Sequence, residues 1–158
     1  MSATESPPPG VLGTLPANSA NSSPAAPAAP DTRAQYDAAG TLLAKGRYDE
    51  AAAAFRNFAD TNPKDDLAPN ALYWVADIAY VQKDYDSAAR GFAEVIKKYP
   101  ASTRAPESLL MMGQALLANG QKKEGCTALA ALPAKFPKAD AKVLSRGVDL
   151  RKASCRNT

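Results

Sequence analysis

Residues 70–100 read NALYWVADIAYVQKDYDSAARGFAEVIKKYP. Leu72, Val75, Ala76, Ala79 and Tyr80 fall at i, i+3, i+4, i+7 and i+8, one face of an α-helix. After Gln82-Lys-Asp84 a second helical stripe follows in Ala88, Phe92, Val95 and Ile96, and Pro100 closes it. Two amphipathic runs joined by so short a turn read as an antiparallel helical hairpin.

The same unit recurs on either side. Pro63, Pro100 and Pro137 are 37 residues apart, each ending an amphipathic run. In the same register lie Ala39, Ala76 and Gly113; Leu42, Ala79 and Leu116; Ala51, Ala88 and Gly125; and Phe55, Phe92 and Leu129. Tyr48 and Tyr85 match as well, with Lys122 an imperfect third member. A fixed period of this length marks a repeated supersecondary unit that stacks on its neighbours. The turns become Lys45-Gly-Arg47, Gln82-Lys-Asp84 and Asn119-Gly-Gln121. Small residues at 39/76/113 and 51/88/125 belong where the helices of a hairpin approach closely, and Phe55 and Phe92 fill the space between hairpins.

The column order resembles the tetratricopeptide repeat. Its early large residue falls at Gln35, Leu72 and Leu109, and its next pair at Ala38-Ala39, Val75-Ala76 and Met112-Gly113. The unit is the usual 34 residues plus three, placed in the loops after Pro63 and Pro100. The resemblance implies an all-α fold: a right-handed tetratricopeptide superhelix of three hairpins of period 37, near 32–65, 69–102 and 106–137. A capping helix over 138–155 follows, with Ala141, Leu144, Val148 and Cys155 at helical spacing.

Composition agrees with helices rather than sheet. Alanine, the strongest helix former, occurs 34 times, whereas Val and Ile together number eight. The absence of histidine excludes Ser-His-Asp and Cys-His nucleophile pairs and His-based zinc sites. No phosphate-binding glycine loop is present, and Asp65, Asp66, Asp84 and Asp86 sit where acids cap helix starts. No catalytic residue, cofactor or metal site is expected. No window holds 18 apolar residues. Residues 1–30 carry seven prolines among Ser, Ala, Asn and Gly, which predicts a disordered tether, with Asp31 as N-cap of the first helix. Val11, Leu12 and Leu15 are its only apolar cluster, and Met1 to Ser6 have no signal-peptide pattern.

In such a superhelix the first helix of each hairpin lines the concave groove. The groove columns are Arg33, Tyr36, Asp37, Gly40 and Leu43; Asn70, Tyr73, Trp74, Asp77 and Tyr80; and Glu107, Leu110, Met111, Gln114 and Leu117. They lack the Lys/Asn/Arg set with which chaperone-binding domains of this type clamp a carboxylate. An aromatic, apolar groove instead suits a partner's helix or extended segment.

The string Asn70 to Tyr80, with Lys83-Asp-Tyr-Asp-Ser-Ala-Ala89 and Phe92 to Pro100, is similar to the C-terminal domain of the Tol-Pal YbgF/CpoB family. That resemblance spans about residues 31–156. It implies a periplasmic adaptor that binds TolA and coordinates outer-membrane constriction with septal peptidoglycan synthesis. It also implies a signal peptide and a trimerising coiled coil ahead of the linker. The alternative is a scaffold of the outer-membrane protein assembly lipoprotein type. That reading needs an acylated N-terminal cysteine, and none precedes Cys126.

Cys126 lies in the last hairpin, and Cys155 shares a helical face with Leu144 and Val148. A disulfide between them is geometrically credible and suits an oxidising compartment, and two buried thiols are the other reading. Residues 121–158 hold nine basic and three acidic side chains, without aromatics placed to stack bases, so a solvated cap is expected rather than a nucleic-acid surface.

Overall fold

The computed structural model describes residues 25–156, with side chains from residue 31 onward. Among the described residues there are seven helices and no strand. They are α1 (Ala25–Ala44), α2 (Tyr48–Thr61), α3 (Ala68–Val81), α4 (Tyr85–Lys98), α5 (Arg104–Ala118), α6 (Lys122–Lys135) and α7 (Ala141–Ser154). They form consecutive hairpins capped by α7, the tetratricopeptide superhelix expected from the period of 37.

The chain divides into two units, residues 1–35 and 36–158. The first contributes the opening of α1, and the second carries the rest of α1 and helices α2 to α7. The tether expected over 1–30, with Val11, Leu12 and Leu15, lies outside the described residues as far as position 24. From Ala25 the backbone is helical, six residues before the start expected at Asp31. Ala25, Ala26, Ala28 and Ala29 are strong helix formers, and Pro27 falls in the first turn, where its missing N–H has no intrahelical acceptor.

Each hairpin turn is closed by the same two backbone bonds. Gly46 donates to the Leu43 carbonyl at 2.9 Å and Arg47 to that of Leu42 at 3.0 Å. Lys83 and Asp84 repeat this with Tyr80 and Ala79, as do Gly120 and Gln121 with Leu117 and Leu116. This pairing needs a left-handed residue after the helix, and Gly46, Lys83 and Gly120 have φ of 74°, 67° and 81°. Lysine holds the middle position although glycine is the residue that tolerates it without strain.

The second helices end in register too. Asn62, Tyr99 and Phe136 all leave the helix at φ near −130°. Each precedes one of the spaced prolines, which bias the residue before them away from helical backbone.

The core follows the columns. Ala39, Ala51, Ala76 and Ala88 are 0–1 % exposed, and so are Phe55, Phe92 and Leu129. A further buried column, Phe58, Val95 and Leu132, is fully enclosed and was not among those recognised in the sequence. At Gly125 a Cβ would stand 2.9 Å from Leu117 Cγ and 3.0 Å from the Gly113 carbonyl oxygen, so the third hairpin closes more tightly than the alanines allow elsewhere.

The capping helix packs through Leu144 and Cys155 as expected, but not through Val148. Val148 is 44 % exposed, whereas Val143, Leu144, Leu150 and Cys155 pack on the last core cluster. The pivot is Gly147, where a Cβ would lie 2.7 Å from Leu132 Cδ2. That contact puts position 147 rather than 148 at the centre of the interface and leaves Val148 outward. Gly147 is the one fully buried residue of α7. A disulfide joins Cys126 to Cys155 at a Cα–Cα distance of 5.7 Å.

With so little buried apolar surface of its own, α7 depends on that bond. Closing a 29-residue separation contributes about 3–4 kcal/mol in the chain-entropy treatment. Reduction, or Cys155→Ser, should therefore speed amide hydrogen exchange across 141–154 while leaving 68–98 unchanged. Equal acceleration in both segments would show that the bond supports the whole stack.

Candidate functional site

The first helices α1, α3 and α5 present one continuous face, and its side chains are bonded from repeat to repeat. The Trp74 indole N–H donates to the Tyr36 hydroxyl at 3.1 Å. Gln114 Nε2 donates to the Tyr80 hydroxyl at 3.0 Å, and Arg146 of α7 donates to Gln114 Oε1 at 3.4 Å. These bonds, from α1 through α3 and α5 to α7, fix the spacing of successive hairpins on this face.

The aromatics are shared between core and surface. Tyr36 meets Phe55 and Phe58 edge-on, each at 5.4 Å between ring centroids. Tyr73 meets Phe92 at 5.3 Å and Trp74 at 5.7 Å, while Trp74 stacks on Phe55 at 6.5 Å. Tyr80 lies edge-on to Tyr85 at 5.3 Å. Tyr36, Tyr73, Trp74 and Tyr80 are all half-buried. Each ring thus anchors a hairpin with one edge and leaves part of its surface accessible, a combination suited to binding hot spots.

Arg104, at the first position of α5, organises the centre of the site and is absent from the groove columns read in the sequence. Its guanidinium lies 4.4 Å from the Tyr73 ring centroid and 5.4 Å from that of Trp74. It donates to Asn70 Oδ1 at 3.0 Å and to Glu107 Oε1 at 2.7 Å. Cation–π contact with two rings and two directed hydrogen bonds hold it in place. The residues 37 positions away are Leu67 and Ala141, so a search by repeat column passes over it.

Asp77 sits one turn along α3 from Tyr73 and is half-buried. Burial raises its carboxyl above the ordinary aspartate range, with Arg104 opposing the rise. The Tyr73 phenol is pushed up to about 12, chiefly by burial and then by the charges of Glu107 and Asp77. It therefore stays a hydrogen-bond donor at neutral pH. The centre of the face thus carries a fixed cation, a neutral phenol and an under-solvated carboxylate.

The third repeat contributes less than expected. Leu110 is 1 % exposed and Met111 is 8 % exposed, so neither lines an open groove. α7 covers Leu110, where a Cβ at Gly147 would lie 3.9 Å from Leu110 Cδ1, and Met111 joins the Ala76, Ala88 and Phe92 cluster between hairpins. Leu117 turns toward Gly125 inside its own hairpin, and Leu43 packs on the first core cluster. Of the expected residues, the structure brings together Tyr36, Asn70, Tyr73, Trp74, Asp77, Tyr80, Glu107 and Gln114. Among the described residues no group of three potential metal ligands occurs, and no helix is long and apolar enough to cross a membrane.

Residues 31–103 and 107–139 match tetratricopeptide repeat models. The chain belongs to the tetratricopeptide repeat proteins, a class of protein–protein interaction modules. No curated protein matches it.

The raised Asp77 carboxyl gives a pH signature. A folded value above the unfolded one stabilises the protein below the unfolded value, about pH 4, and that stability is lost as pH rises through the folded value. Asp77→Asn should therefore raise the urea midpoint at pH 7 and leave it unchanged at pH 3. A variant less stable at pH 7 would mean that the carboxylate is satisfied within the fold.

Proposed function

We propose that the α1/α3/α5 face is the seat of a partner segment and that the chain is a non-enzymatic adaptor. The observation that carries this reading is Asp77, an under-solvated carboxylate set among Tyr73, Trp74 and Tyr80. A carboxylate kept partly from water in an aromatic surface lowers the stability of the free protein, and a partner's donor or cation recovers the loss on binding. The chemistry needed is a segment with an apolar side for the rings and a Lys, Arg or amide donor for Asp77.

The similarity of Asn70 to Pro100 to the Tol-Pal YbgF/CpoB family supplies the setting. In this reading the protein works in the periplasm and its partner is a TolA-like segment. It couples outer-membrane constriction to septal peptidoglycan synthesis during division, with the synthesis machinery as a further partner and a coiled coil trimerising the longer protein. The Cys126–Cys155 bond supports an oxidising compartment.

Trp74 is the single tryptophan, so its fluorescence reports on the face directly. Titration with the periplasmic segments of TolA should shift that emission. Affinity measured by calorimetry should fall at least about thirtyfold in Trp74→Ala and in Asp77→Asn, the size of a hot-spot loss. Binding unaffected by both substitutions would remove the partner from this face. No binding to any TolA segment would remove the Tol-Pal assignment.

A further inference from the structure

On the opposite side of the domain, the second helices leave one gap closed and the next one open. Between α2 and α4, over α3, an ion pair spans the gap: Arg56 Nη1 lies 2.8 Å from Glu94 Oε2. The cavity beneath it is about 280 Å³. Their mutual hydrogen bond raises the Arg56 guanidinium and lowers the Glu94 carboxyl, with partial burial opposing both shifts. Lys98 adds a second contact to the same Glu94 oxygen at 2.8 Å.

One period later, between α4 and α6 over α5, that strap is missing. The residues 37 positions on from Arg56 and Glu94 are Ala93 and Ala131. Both line a trough of about 820 Å³. Its floor also changes, because Val75 and Ala79 of the closed gap become Met112 and Leu116, joined by Ile96 and Leu109. The charges on its rim change with it. Lys135 corresponds to Lys98, but the acid Lys98 pairs with has become Ala131, so Lys135 stands without its ion-pair partner. Lys97 and Lys123 stand where the preceding repeat has Asp60 and Asp86. Three lysines therefore edge an apolar trough, against one acid, Glu124.

We infer that this α4/α5/α6 trough is a second docking site, and that its occupant is an acidic amphipathic helix from a partner protein. Lys123 and Lys135 are twelve residues apart on α6, which spans about 18 Å, or roughly three helical turns. A helix of that length lays an apolar stripe on Met112, Leu116 and Ile96 and sets acidic residues against the lysines at both ends. A basic occupant would meet Lys97, Lys123 and Lys135 as like charges. The site is on the face opposite Trp74, so this inference stands apart from the function proposed above.

The repeat itself supplies the variant that tests it. Ala93→Arg with Ala131→Glu copies the strap of the preceding gap and should close the trough without disturbing the fold, as circular dichroism would verify. The probe is a fluorescein-labelled peptide of about 14 residues with leucines at helical spacing and flanking glutamates, followed by anisotropy on the whole chain. The expected result is micromolar binding, weakened at least about tenfold in the strap variant and in Lys97→Glu with Lys135→Glu, and unchanged in Trp74→Ala. The inference is overturned by no binding, by equal binding of a lysine-for-glutamate peptide, or by binding that survives both pairs of changes. Self-association of the native chain in sedimentation, lost in the strap variant, would assign the trough to a second copy and would equally overturn it.

Discussion

The close approach of helices at two small-residue columns is the constraint from which the rest of this structure follows. Ala39, Ala76 and Gly113 meet Ala51, Ala88 and Gly125 inside successive hairpins, and the alanines among them are almost wholly enclosed. With no side chain beyond Cβ to separate them, each hairpin is thin. Phe55, Phe92 and Leu129 then fill the space between one hairpin and the next. A thin unit has too little interior to be stable alone, so the stack is held by what passes between repeats. That is why so many of the polar contacts on the first-helix face join residues 34 to 38 positions apart.

The same economy explains how the two faces acquire different characters. On the first-helix face the rings cannot be wholly buried, because the hairpins are too shallow to enclose them. They remain half-exposed beside Arg104 and Asp77. On the second-helix face a gap separates alternate helices, and side chains at two positions decide whether it is spanned. Arginine and glutamate span it between α2 and α4, whereas two alanines leave it open between α4 and α6. Gly147 lets α7 approach Leu132 and cover Leu110, and the disulfide holds it there.

The period of 37 was enough to read the architecture, because the spaced prolines, small residues and aromatics all report backbone events that recur. The three turns with their left-handed residue, and the three equivalent helix ends, lie within the stretches that the period marks. What escaped was whatever does not repeat. Arg104 belongs to no column, and its role comes from Asn70, Tyr73, Trp74 and Glu107 converging on it in space. Leu110 and Met111 do occupy groove columns, but α7 covers Leu110 and the Ala76, Ala88 and Phe92 cluster encloses Met111. Helical spacing alone placed Val148 on the packing face of α7, since it cannot weigh the close approach that the neighbouring Gly147 allows. The earlier helical start at Ala25 was hidden by Pro27, which the first turn tolerates, and by Pro30 beyond it, which reads as a helix breaker.

The claim that close packing at the small columns governs the fold is tested most directly by enlarging one of them. Urea unfolding of Ala88→Leu, set beside the exposed control Ala53→Leu, makes the comparison at constant chemistry. Overpacking at a fully enclosed position should cost about 1–3 kcal/mol or more, while the exposed change stays within about 0.5 kcal/mol of the native chain. Equal stability of the two variants would contradict the account.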